Sequence, residues 1–196
     1  MLSTFTFDAI GVRPLLVHNI RLANPLDQYA REMRVINARR NKTVEDLAAL
    51  ARLEFEGGLY INEAGPFIPS TWVEAALKRA ATLTRQGTAV ERAVLIGDDF
   101  PLAYDGPRDA AALWGAGFYD SRMVRINKSR VLRTRPMFAR WSARLHGLVD
   151  LEMLDGSDLE AIAVRCGDYV GLGDYRPTFG RFNVENFAVS AIEQAA

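Results

Sequence analysis

The sequence predicts an α+β fold on three observations. Two segments, 70–81 and 157–170, carry apolar residues at helical spacing behind N-terminal capping signals. A third segment alternates with period two: Trp141, Ala143, Leu145, Gly147, Val149 and Leu151 face one way, with Arg140, Ser142, Arg144 and His146 facing the other. The order of the segments (strand, helix, strands, helix, strand) then suits one sheet with both helices on a single face.

Thr4 to Val17 reads as the first strand, with Phe5, Phe7, Ile10 and Leu15–Val17 set around Gly11 and Pro14; His18 and Asn19 end it. Residues 20–42 are polar and arginine-rich, with Tyr29, Met33, Val35 and Ile36 at loosely helical spacing. Thr43 reads as the N-cap of a helix whose apolar side is Val44, Leu47, Leu50, Ala51 and Phe55, stopped by Gly57 and Gly58. The stretch 20–56 is thus a helical insertion after the first strand of one 1–196 domain.

A hairpin follows, with Leu59–Ile61 and Phe67–Ile68 flanking Asn62–Gly65. Thr71 and Glu74 fit a capping box for a helix with Val73, Ala76, Leu77, Ala80 and Ala81 inward, which Gly87 closes. Ala93–Ile96 reads as a short strand. Gly97–Gly117 reads as loop, anchored by Trp114. In Met123–Arg135 Arg122, Lys128 and Arg130 share a parity with Val124, Ile126 and Leu132, so clean alternation fails; either two short strands about Asn127–Ser129 or a bulge there reconciles it. Ser157 and Glu160 fit a second capping box, for a helix with Leu159, Ile162, Ala163, Cys166 and Val170 inward; Arg181–Val189 reads as the last strand. The β-α-β-β-α-β order is that of a ferredoxin-like (RRM-like) sheet, whose uncovered face is free to bind.

Composition is that of a globular protein with a real core: 49% hydrophobic and 24% charged residues. No apolar run reaches the roughly 18–20 residues that span a bilayer, and the N-terminus lacks a signal peptide's basic start and apolar core. No membrane partner and a cytoplasmic location are expected. A single cysteine excludes an internal disulfide, and with only two histidines speaks against a structural zinc site. No Walker or dinucleotide-binding pattern is present, and no metal or cofactor is expected.

The net charge is zero, but its distribution is uneven. Between Ser121 and Val149 there is no acidic residue, while Arg122, Arg125, Lys128, Arg130, Arg133, Arg135, Arg140 and Arg144 all lie there. A second cluster is Arg31, Arg34, Arg39, Arg40 and Lys42. Charge separated in this way makes a local positive field despite the neutral sum. Near the C-terminus, V-G-L-G-D-Y-R-P-T-F-G-R-F-N-V (170–184) sets Gly171, Gly173 and Gly180 around Tyr175, Arg176, Phe179 and Arg181. Either this is a loop that holds phosphate on main-chain N–H groups, or a helix C-cap followed by a tight turn.

Two motifs resemble the RAMP superfamily of CRISPR-associated proteins, especially the small backbone subunits that line up along guide RNA. The segment G-L-G-D-Y-R-P-T-F-G-R-F-N-V is similar to the family's glycine-rich loop between second helix and fourth strand. The segment P-F-I-P-S-T-W-V-E-A-A-L-K-R-A-A (66–81) is similar to its hairpin into the first helix, with Ser70 where the family usually has glycine. The likeness extends to solitary members encoded by phages and prophages. It implies an RNA-facing ribbon at 122–135, a thumb-like insertion, and copies assembled along a strand.

Residues and resemblance together predict non-catalytic binding of single-stranded nucleic acid, RNA more than DNA. The candidate contacts are Arg125, Lys128, Arg130, Arg133, Arg135, Arg144, Gly171, Gly173, Tyr175, Arg176, Gly180, Arg181, Arg34, Arg39 and Arg40. Tyr169, Tyr175 and Phe179 are candidates for base stacking. Alternatives are a virion-structural, protein-interaction or anti-defence role, and an endoribonuclease using His18 or His146. Asp98, Asp99 and Asp105 are weighed as a metal site against a solvated turn, and Asp27 as a cutting aspartate whose surroundings do not match. Cys166 is expected to be buried and inert.

Overall fold

The structure, a computed structural model, describes residues 2–126 and 129–191. In chain order the elements are β1 (Leu2–Gly11), β2 (Leu15–Leu16), a 3₁₀ turn at Ile20–Ala23, α1 (Gln28–Asn37), α2 (Val44–Gly58), β3 (Ile61–Asn62), β4 (Gly65–Ile68), α3 (Ser70–Thr82), α4 (Gly87–Ala93), β5 (Val94–Leu95), β6 (Phe100–Pro101), α5 (Ala110–Gly115), β7 (Tyr119–Ile126), β8 (Ser129–Phe138), β9 (Ser142–Asp150), α6 (Gly156–Arg165) and β10 (Phe182–Ala191). The fold is α+β with antiparallel sheets. Among the described residues no helix is long and apolar enough to cross a membrane. The chain divides into two compact units. One is Met1–Leu15, Phe67–Asp105 and Ala139–Ala196; the other is Leu16–Pro66 and Gly106–Phe138, and so holds the predicted 20–56 insertion.

The first unit is built on a four-stranded sheet in the order β10-β1-β9-β5. Strand alternation decides which side chains reach its core. Phe5, Phe7 and Ala9 from β1 and Ala143, Leu145 and Val149 from β9 are buried. Val73, Ala76, Leu77 and Ala80 of α3 and Leu159, Ile162 and Ala163 of α6 are buried with them, α3 lying beside α6 and α6 beside β10. Each fully buried large side chain contributes about 1.5–3 kcal/mol. The other face carries Thr6, Asp8, Arg144, His146 and Glu185, with Asp8 directly opposite both Arg144 and Glu185 in register.

The second unit packs α1 against α2 and sets α2 beside the β7–β8 hairpin. Thr43 and Asp46 form a reciprocal capping box at the start of α2: Thr43 Oγ1 accepts from the Asp46 N–H (3.2 Å) and Asp46 Oδ2 from the Thr43 N–H (3.1 Å). Phe55, with no exposed surface, meets Trp114 edge-on (5.3 Å between centroids) and Tyr119 (6.2 Å), and Trp114 stacks on Tyr119 at 4.5 Å. This aromatic cluster anchors the root of the hairpin, as the isolated tryptophan of a long loop suggests.

Several boundaries differ from the sequence reading. The first strand ends at Gly11, and Leu15–Leu16 joins β8 instead. The helix at 70 has Pro69 at its N-cap with no side-chain bond from its own segment; Asp99 Oδ1 accepts from the Ser70 N–H at 2.8 Å, so Thr71 and Glu74 do not form the cap. Gly87 opens α4 rather than closing α3, which ends at Thr82 before a left-handed Arg85 (φ 61°). The second capping box is displaced too: Asp155 caps α6, accepting from Ser157 N–H and Oγ at 2.9 and 3.0 Å. The 97–117 loop contains β6 and α5. The broken alternation at 122–135 resolves into two paired strands.

Candidate nucleic-acid interface

In the second unit β7 and β8 form a two-stranded ribbon whose register runs from Tyr119↔Pro136 to Ile126↔Ser129. Ser121 and Thr134 stand opposite each other, hydroxyls 2.8 Å apart. Toward the tip come Met123↔Leu132 and then Arg125↔Arg130 on the same face, all four exposed. The opposite face carries Arg122↔Arg133, Val124↔Val131 and Asp120↔Arg135. Two pairs of arginines are therefore cross-strand neighbours. Like charges directly opposite destabilise a strand pair unless something neutralises them.

At Arg122↔Arg133 the protein supplies the counter-charge. Asp120 takes both Nε and Nη2 of Arg122, the latter at 2.6 Å. Glu54, buried on α2, accepts from Arg133 Nη1 (2.6 Å) and from the Thr134 N–H (2.8 Å). Arg135 is half-buried, with Nε and Nη1 shielded from solvent. At the tip, Arg125 and Arg130 are exposed to solvent beside the exposed Met123 and Leu132. Lys128 lies outside the described residues.

The basic cluster of the insertion belongs to the same unit. Arg34 and Arg40 are exposed, while Arg39 is ion-paired with Asp46. Lys42 Nζ donates to the carbonyls of Asn37 (3.1 Å) and Arg39 (3.2 Å) at the end of α1, where a cation also suits the helix dipole. Asp27 caps α1: burial pushes its carboxyl up, but hydrogen bonds from Arg21 and the Tyr29 N–H outweigh this and hold it below the usual aspartate value. That makes Asp27 a structural cap.

In the first unit, α6 widens into a π-type turn at Cys166–Val170, closed by the Gly171 N–H donating to Cys166 C=O at 2.7 Å. The glycine-rich loop then folds on itself. Gly171, Gly173 and Gly180 have positive φ (74°, 79° and 72°), as does Tyr175 (55°). Leu172 N–H donates to Gly180 C=O (2.9 Å), Gly180 N–H to Pro14 C=O (2.8 Å), Phe179 N–H to Tyr175 C=O (3.3 Å), and Tyr175 N–H to Asp174 Oδ1 (2.8 Å). These main-chain donors serve the fold rather than forming an open cradle. Phe179 is buried, which corrects its assignment as a stacking platform; Tyr175 and Tyr169 are exposed. Arg176 is exposed, and Arg181 Nε donates to Pro177 C=O at 3.0 Å.

The outer sheet face offers a mixed surface. Arg144 reaches Asp8 Oδ1 at 3.4 Å, and Asp8 Oδ2 accepts from Asn186 Nδ2 at 2.7 Å. His146 sits 3.2 Å from Asp98 Oδ2 and edge-on to Phe100. With Asp99 bonded to the start of α3, the acidic pair at 98–99 is divided between two tasks. Among the described residues no three His, Cys, Asp or Glu side chains converge as a metal cluster. Cys166 is buried, and burial pushes its thiol up to about 12.

Sequence reasoning missed Met123, Leu132 and Glu54. The first two become legible only once the hairpin register pairs them beside Arg125 and Arg130. Glu54 reads as an ordinary polar helix residue, and its partners lie some 80 positions away. No family model and no curated protein matches this chain.

Proposed function

We propose that the protein binds single-stranded nucleic acid without cutting it, through the tip of the β7–β8 ribbon, and that copies assemble along the strand. The observation that carries this reading is the exposed Arg125↔Arg130 pair, flanked by exposed Met123 and Leu132. Arginine's planar, permanently charged fork suits phosphate, and two of them facing across the ribbon offer one polyanion two such forks. Met123 and Leu132 alongside offer an apolar surface against which unstacked bases can lie. Neutralising phosphates releases counterions and supplies sequence-independent affinity.

The core is consistent with this reading. Strands β1, β5, β9 and β10, with α3 after the first and α6 after the third, follow the β-α-β-β-α-β order, and the sheet order β10-β1-β9-β5 supports a ferredoxin-like core of the RAMP type. The preference for RNA and the assembly along a strand rest on that resemblance. The test is fluorescence anisotropy with labelled oligouridylate and oligothymidylate over a salt series. Affinity should fall linearly on logarithmic axes as salt rises, and Arg125→Ala/Arg130→Ala should weaken it. Affinity independent of salt, or untouched in a folded double variant, would refute the ribbon as the site.

A further inference from the structure

We propose that the outer edge of β8, beyond its short pairing with β2, accepts an extended acidic peptide of a partner protein as an added strand, in a groove of about 280 Å3 between that edge and helices α1 and α2. The argument begins with backbone alternation. In an antiparallel pair, residues alternate between exchanging both main-chain bonds with their partner and turning them away. Thr134 is of the second kind: its N–H points outward to Glu54 Oε2, while its hydroxyl meets Ser121 across the ribbon. Pro136, two residues on, is of the same kind, its C=O accepting from the Val17 N–H at 2.9 Å. Leu132 and Arg130, two and four residues before Thr134, therefore also present N–H and C=O to the outer side. Beside them lies the groove.

An exposed strand edge is a template for another strand. Added strands take their affinity from main-chain hydrogen bonds and their specificity from side-chain pockets on alternate residues. The edge from Arg130 to Thr134 is about 13 Å long at a rise of ~3.3 Å per residue, enough for a short strand. Its apolar lining is Met33, Leu47, Leu50 and Leu132, of which Leu47 and Leu132 are 46% and 44% exposed. Its charges decide the occupant. Glu54 is matched by Arg133, while Lys42 and Arg130 on the rim add positive charge. The complement is a segment alternating carboxylates with branched apolar residues. Arg130 and Leu132 line this groove as well as the ribbon face proposed for nucleic acid, but the main-chain edge that would pair with the peptide is separate from that face.

The probe is a fluorescein-labelled heptapeptide, acetyl-Glu-Val-Asp-Ile-Glu-Val-Asp-amide, with hydrogen exchange read at individual amides. At saturation the amides of Leu132 and Arg130 should exchange at least tenfold more slowly. N-methylation of one alternate set of peptide residues should weaken binding tenfold or more, and methylation of the other set should not, because only one set faces β8. Replacing the acids by lysine should weaken binding at least tenfold, and Arg130→Glu should reverse that preference. Absence of binding, unchanged exchange at both amides, or equal tolerance of both methylated peptides would overturn the proposal. So would a hexauridylate that protects the same amides and displaces the peptide, since that outcome gives the groove to nucleic acid.

Discussion

The carbonyl oxygen of Leu172 sits where a side chain on residue 180 would begin: a Cβ on Gly180 would lie 1.8 Å from it. Gly180 also has φ 72°, and its main chain joins Leu172 and Pro14. Gly180→Ala cannot be absorbed by a side-chain rotation, because the clash is with backbone. It should cost about 3 kcal/mol or more, read as a fall in the urea midpoint. A midpoint within experimental error of wild type would show that the loop has room that this packing denies.

Glu54 ties α2 to the ribbon through two acceptors. Glu54→Ala leaves the Thr134 N–H and Arg133 without their partner, at an expected cost of about 2–3 kcal/mol. Arg133→Ala leaves the buried Glu54 carboxylate its bond from the Thr134 N–H but takes its counter-charge, and should cost about 1–2 kcal/mol, less than Glu54→Ala. Glu54→Gln keeps an oxygen for the N–H and should fall between them. Denaturant unfolding of the three variants gives the order directly, and equal losses for Glu54→Ala and Arg133→Ala would refute it.

Removing Arg125 and Arg130 should change binding without changing stability. Each phosphate that is no longer neutralised lowers the salt slope of log affinity by about 0.7 on a single strand, so the slope of the double alanine variant should be shallower by about 1.4. Its thermal midpoint should stay close to that of wild type, since both side chains are exposed. An unchanged slope with weakened affinity would mean that the pair acts through something other than phosphate.

The Cys166 thiol is held protonated by burial up to about 12, against an ordinary value of 9.0. The folded state therefore keeps its proton where the unfolded state loses it. The thiol's contribution is complete below pH 9 and is lost as pH rises from there toward 12. Folded protein at pH 8 should not react with an aromatic disulfide reagent, whereas denatured protein should release one equivalent at once. Rapid reaction in the folded state would place the thiol at the surface.

Asp155 should behave in the opposite sense. Hydrogen bonds from the Ser157 N–H and hydroxyl hold its carboxyl below the usual aspartate value, so its capping is present above the ordinary pKa and is lost as pH falls through the folded one. Asp155→Ala should lower the melting temperature at pH 7, and by progressively less as the pH falls below the ordinary aspartate value. Ser157→Ala should do less at pH 7, which separates the two candidate caps of α6.

What was legible in the sequence follows from the range of the forces involved. Val73, Ala76, Leu77, Ala80 and Ala81 were readable because a buried helix face repeats along its own chain, and Ala143, Leu145 and Val149 because a strand buried on one side alternates. Thr43 was readable because both partners of its cap lie within four residues. The errors have a common form. Asp99 reaches Ser70 across 29 positions and displaces a cap that looked complete at Thr71. Gly87 looks like a helix stop because glycine ends helices, yet here it opens one. Phe179 looks available in a glycine-rich loop, but the loop's own hydrogen bonds turn it inward. Clustered charge marked 122–135 as a basic region; only the strand register paired its arginines across a ribbon and showed that Asp120 and Glu54 hold Arg122 and Arg133.

The division of the chain into interleaved segments sets a timetable for its synthesis. Every residue of the unit carrying the ribbon has been made once Phe138 is joined, whereas the sheet of the other unit still lacks β9 and β10. Strand β1, made first, has no sheet neighbour until residues 142–150 appear, and gains its second only at the end of the chain. Pairings so distant in sequence form slowly. The ribbon unit can therefore complete its hairpin as soon as Phe138 clears the ribosomal exit tunnel, when residues 142–150 are still inside it and β1 still lacks both of its sheet neighbours.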